Sequence, residues 1–140
     1  MTAADRDFLQ RGLNFYEQFA RQNSAHSGLH KEAARADRRL GYLWRELRQL
    51  REAETAFGKA TPVFEKLVAQ FPEVADHRRE LASCLYGLSV VMRDSRRQPE
   101  AEECSRQAVI LWEALASDPS SSRDDRLHFG HSLWHKGTLD

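Results

Sequence analysis

The sequence predicts an all-α protein, an open stack of antiparallel helix hairpins built from about six helices. Two observations predict it. Apolar residues recur at helical spacing almost throughout, while Val and Ile are few and no Asn-Gly or Asp-Gly hairpin turn occurs. The chain also repeats itself at an offset of 48 residues: Glu52-Ala53-Glu54 returns as Glu100-Ala101-Glu102, Ala60 as Ala108, Glu65 as Glu113 and Leu67 as Leu115. Residues 33–68 laid on 81–116 give ten identities without a gap, against roughly two or three expected by chance for average composition. The offset also carries Leu85 onto Leu133 and Tyr86 onto Trp134, and in reverse sets Tyr16-Glu17 under Phe64-Glu65. A fixed period of this size marks stacked units, each unable to bury its apolar face alone.

The first helix covers about 5–22, with Phe8, Leu9, Leu13, Tyr16, Phe19 and Ala20 as its apolar stripe, and Thr2 and Asp5 form a capping arrangement ahead of it. The second covers about 26–49 and turns Ala33, Ala36, Leu40, Leu43, Trp44 and Leu47 inward. The third covers about 51–70 and stops at Phe71-Pro72. Pro62 falls inside it and removes a backbone donor. A kink rather than a break is expected, because the apolar pattern continues through Val63, Phe64 and Leu67. The fourth runs from about 73 to 95 over Leu81, Cys84, Leu85, Leu88, Val91 and Met92. Pro99 suits the first turn of the fifth helix, which reaches about 118 and carries Val109, Leu111, Trp112 and Leu115. After Ser120-Ser121-Ser122 a sixth helix begins near Arg123. One domain, 1–140, thus comprises a half-repeat (5–22), two repeats (26–71 and 73–118) and a second half-repeat (123–140). Short connections make neighbouring helices antiparallel.

Lys plus Arg and Asp plus Glu both number 21, so no net field draws the chain to nucleic acid or an anionic membrane. No apolar run approaches the ~20 residues that span a bilayer, and the first residues lack the pattern of a signal peptide. A cytoplasmic location follows as the expectation. Cys84 and Cys104 stand in helical patterns without metal or redox spacing, and read as two buried thiols.

The units read Asp37-x2-Leu40-Gly41-x2-Trp44 then Ala53-x3-Phe57-x2-Ala60, and Leu85-x2-Leu88-Ser89-x2-Met92 then Ala101-x3-Ser105-x2-Ala108. Leu133-x2-Lys136-Gly137 opens another. These motifs resemble the tetratricopeptide repeat across essentially the whole chain. The chain departs from that pattern in its period, 48 rather than the usual ~34, and in Asp37 and Ser105, which replace large apolar residues. The wording of Phe15-Tyr16-Glu17-Gln18-Phe19-Ala20, Leu67-Val68-Ala69-Gln70-Phe71-Pro72 and Arg78-Arg79-Glu80-Leu81-Ala82-Ser83 is similar to repeat arrays attached to serine/threonine protein kinases of planctomycete-type bacteria. The chain itself has no Gly-rich phosphate loop, H-R-D or D-F-G sequence.

The resemblance implies a right-handed superhelix whose concave face is lined by the first helix of each hairpin. With Leu40, Leu43, Trp44 and Leu47 inward, Arg35, Arg38, Tyr42 and Arg45 share the other side at i, i+3, i+7 and i+10. The repeat offset adds Tyr86, Arg93 and Trp134. Arg forks hold carboxylates and aromatic rings supply contact area, so the seven residues form a candidate site for an acidic, partly apolar peptide or protein. The competing reading is a solvated helical face whose arginines pair with Glu46 or Asp94. A further alternative is self-association through the apolar end helices.

His128, His131 and His135 share a helical face near Asp124 and Asp125, a set that suits zinc, but a His-rich terminal helix explains them as well. No metal or other cofactor is assigned. Glu52, Glu54, Glu100 and Glu102 open helices, where the dipole favours carboxylates. The sequence therefore predicts a non-catalytic protein-interaction scaffold. The alternative is a fragment of the regulatory or substrate-recruiting repeat region of a bacterial serine/threonine kinase.

Overall fold

The computed structural model describes residues 2–23 and 30–117. They form five helices: α1 (Ala3–Asn23), α2 (His30–Glu46), α3 (Leu50–Gln70), α4 (Ala75–Asp94) and α5 (Gln98–Ser117). No strand occurs among the described residues. The sequence-derived ends agree to within a few residues. Residues 26–29 of the expected second helix and the whole sixth helix lie outside the described residues.

Capping fixes the start of α1. The Thr2 N–H donates to the Asp5 carboxylate and the Asp5 N–H donates to the Thr2 hydroxyl, both at 3.1 Å. The Thr2 N–H, and after it the Thr2 side chain, hydrogen-bond the Asp5 carboxylate and hold it below its ordinary range. α3 is continuous through Pro62, so the proline does not break it. Pro62 and Gly58 both lie on the exposed side of the helix, where water can take the place of the missing donor.

The chain divides into two compact units, Met1–Val63 and Phe64–Asp140, with the division falling inside α3. In the first unit α1 packs against α2. Leu13, Leu40 and Ala56 make the buried centre, and Tyr16, Leu43, Trp44 and Leu47 pack around it. Phe57 is fully buried, its ring lying where a side chain on Gly41 would stand. The Tyr42 and Phe57 rings meet in a T-shaped pair, centroids 5.0 Å apart and planes at 86°.

In the second unit α4 packs against α5. Phe64, Leu81, Cys84, Leu85, Leu88, Val91, Val109, Trp112 and Leu115 are buried there, while Met92 and Leu111 are half-buried. Ser89 and Ser105 occupy the positions 48 residues after Gly41 and Phe57, and both are buried. Where the first unit pairs no side chain with a phenyl ring, the second uses two small hydroxyls. The Ser89 hydroxyl donates to the Tyr86 carbonyl at 2.7 Å, which offsets the cost of burying it.

The 48-residue period is written into the backbone as well. Among the described residues, Arg48 and Arg96 are the two non-glycine residues with positive φ, at 61° and 62°. After α2, the Gln49 N–H donates to the Trp44 carbonyl (2.9 Å) and the Arg48 N–H to the Arg45 carbonyl (2.9 Å). After α4, Arg97 donates to Met92 (2.8 Å) and Arg96 to Arg93 (3.0 Å). This is the Schellman closure, made twice with an arginine where glycine is usual. It ends one helix and starts the next within three residues, so each pair of helices forms a hairpin.

Two expectations change. Phe8 was expected in the buried stripe of α1 but is 76% exposed. Leu13 and Ala20 are buried and the half-buried Tyr16 packs beside Leu13 and Leu40, while Phe8 lies on a neighbouring flank. Cys104 is half-buried rather than buried. Its thiol lies 3.8 Å from the Met92 sulfur, and neither cysteine is in a disulfide. No helix among the described residues is long and apolar enough to cross a membrane.

Candidate functional site

α2 carries four of the sequence-derived site residues, Arg35, Arg38, Tyr42 and Arg45, all half-buried. They sit together because 3.6 residues per turn brings i, i+3, i+7 and i+10 to one side. The packing of Tyr42 on Phe57 fixes its ring in one orientation. Arg35 lies 3.5 Å from Glu32, one helical turn back, and Arg45 lies 4.0 Å from Glu46. In the second unit, Tyr86 and Arg93 share α4, and Arg93 lies 3.9 Å from Asp94. Arg45–Glu46 and Arg93–Asp94 are the same pair one period apart, as the solvated-face reading anticipated. Each pair is partly exposed and contributes at most about 1 kcal/mol. Trp134 and the histidines of the zinc reading lie outside the described residues. Among the described residues, no cluster of three or more His, Cys, Asp or Glu could hold a metal.

The first unit also contains a cavity of about 660 Å³, walled by side chains of α1, α2 and α3. Arg21, Asp37, Trp44, Arg51 and Lys59 are among its lining residues. Desolvation pushes the Asp37 carboxyl above its ordinary range, and the charge of Lys59 offsets part of that rise. A destabilised carboxyl in a cavity is a common mark of a binding position. The sequence carried a signal for it: Asp37 stands where the other repeats have Leu85 and Leu133. A smaller cavity of about 180 Å³ lies between α1 and α2, bounded by Phe15, Tyr16, Phe19, Arg35 and Arg39. There Arg39 donates to the Tyr16 hydroxyl at 2.9 Å.

Asp37 gives a test by pH. Its raised folded-state pKa means that the folded chain prefers the protonated acid. The cost of the carboxylate is therefore absent at low pH and appears as pH rises through the folded pKa. Replacing Asp37 with Asn should raise the urea midpoint at pH 7, and the advantage should shrink toward about pH 3. An advantage independent of pH would show that desolvation of the charge is not the cause.

Comparison of the chain with protein-family models, with curated proteins and with solved structures finds no match.

Proposed function

We propose that the chain is a non-catalytic interaction scaffold of tetratricopeptide type, holding an acidic, partly apolar peptide or protein segment on its first-helix faces. The observation that carries this reading is the recurrence, at one spacing, of a helix–turn–helix hairpin with the same Arg48/Arg96 closure. Stacked copies of one hairpin form an extended surface lined by equivalent positions, which suits the recognition of another chain. The superhelical arrangement of the hairpins is part of the proposal. On α2 that surface offers Arg35, Arg38 and Arg45 around a fixed Tyr42 ring; on α4 it offers Tyr86 and Arg93.

The test is a displayed peptide library selected on the intact chain, followed by anisotropy titrations of the enriched peptides. Enriched sequences should be acidic with aromatic or aliphatic anchors. Arg38→Glu/Arg45→Glu should weaken them at least tenfold, about 1.4 kcal/mol, while far-UV circular dichroism stays unchanged. Enrichment of uncharged or basic peptides, or affinity indifferent to the charge reversal, removes the α2 face from consideration.

A further inference from the structure

The smaller cavity of the first unit joins an exposed aromatic cluster on α1 to an arginine of α2. Phe15 is 61% exposed, although it is a large apolar side chain. Its ring stacks on Phe19 with centroids 6.4 Å apart, and it meets Tyr16 in a T-shaped pair at 5.2 Å. Across the cavity Arg39 donates to the Tyr16 hydroxyl at 2.9 Å, and its guanidinium carbon lies 5.5 Å from the centre of the Tyr16 ring. Among the described residues Arg39 is in no ion pair. The guanidinium is a rigid fork of several donors, and one hydroxyl engages only part of it. Tyr16 thus holds a positive charge in place without neutralising it. Glu32 and Arg35 also line the cavity, but they lie 3.5 Å from each other, so the excess charge of the wall belongs to Arg39.

We propose that this cavity seats one aromatic or aliphatic side chain of an acidic peptide segment, while Arg39 holds the carboxylate of the acid next to it. Size limits the occupant. A volume of about 180 Å³ corresponds to about six waters at ~30 Å³ each, enough for a leucine or phenylalanine side chain and too little for a folded element. Charge selects it. An aromatic wall by itself attracts organic cations, but the guanidinium over this one repels them and favours a carboxylate, which it can hold through two parallel hydrogen bonds. Position connects it to the candidate site. Arg39 lies one turn from both Arg35 and Tyr42 along α2, so a segment lying on that face reaches the cavity at its edge. Ion pairs on a partly exposed helix bind weakly, whereas an apolar side chain enclosed by Phe15, Tyr16 and Phe19 gives the complex a desolvated anchor. The inference rests on the peptide-binding reading and deepens it. Phe15, Phe19 and Arg39 join the residues chosen by spacing, and the ligand must place an acid directly beside an apolar residue.

The test uses the intact chain and the peptides enriched from the displayed library. Those peptides should carry an aspartate or glutamate directly beside an aromatic or aliphatic residue. Phe15→Ser, a change at an exposed position, and Arg39→Gln should each weaken binding at least tenfold, with far-UV circular dichroism unchanged. Altering the peptide separates contact from a structural effect. Once its apolar residue is alanine, Phe15→Ser should cost nothing further; once its acid is the amide, Arg39→Gln should cost nothing further. Binding that is lost in Arg38→Glu/Arg45→Glu but kept in Phe15→Ser overturns the anchor and leaves the α2 face standing. Binding that is lost in Phe15→Ser and Arg39→Gln but kept under that charge reversal supports the anchor and removes the rest of the face. Equal losses for original and altered peptides, or a library that enriches no acidic peptide, overturn the proposal.

Discussion

Replacing Gly41 with alanine should lower the stability of the chain by about 2–3 kcal/mol, the upper range for overpacking a core. A methyl group there would stand 2.6–2.7 Å from three atoms of the Phe57 ring, well inside contact distance. The ring cannot retreat easily. It is fully buried, and Tyr42 packs against it in a T-shaped pair. Urea denaturation of Gly41→Ala, Phe57→Leu and the double variant measures the effect and its cause. Phe57→Leu shortens the ring side and should absorb part of the clash, so the double variant should be clearly more stable than the sum of the two losses predicts. A Gly41→Ala loss under about 0.5 kcal/mol, as for a neutral surface change, would mean that α2 and α3 do not approach as closely as described.

That contact also shows how much of the molecule could be read from its residues. Helix positions were legible because periodicity and terminators agree. Phe71-Pro72 stops α3, Pro99 opens α5, and Thr2 with Asp5 caps α1 as expected. The small residue at Gly41 was legible as a point of close approach, though the sequence could not name Phe57 as the group approaching it. The Schellman closures were hidden, because arginine gives no local sign of positive φ where glycine would. Phe8 was misplaced because periodicity identifies an apolar face without saying whether another helix arrives to cover it. For the candidate site, the grouping of Arg35, Arg38, Tyr42 and Arg45 on one helix followed from spacing alone. The cavity at Asp37 did not follow, because it depends on three helices meeting. Its trace was a single acid in an apolar register.

Pro62 should yield the largest gain in stability available from one exposed residue. Proline inside a helix costs about 3 kcal/mol relative to alanine, through the lost donor and the clash of its ring with the carbonyl four residues earlier. Here that carbonyl belongs to Gly58, and the helix persists because both residues face outward. Pro62→Ala restores the hydrogen bond and removes the clash, but it also frees the unfolded chain, which offsets roughly 0.5–1 kcal/mol. A helix can relieve part of such a clash by bending, so a net gain of about 1–2 kcal/mol is expected, a rise in melting temperature of roughly 3–8 °C. Gly58→Ala is the control: its new methyl meets nothing within 4 Å and should add about 0.5–1 kcal/mol by helix propensity alone. The two gains test different things. If Gly58→Ala stabilises and Pro62→Ala destabilises, the conformation imposed by the proline is one that the packing around α3 requires. The contrast with Ile110, one period later on the exposed side of α5 and free of that constraint, would then mark Pro62 as a selected feature of the first hairpin.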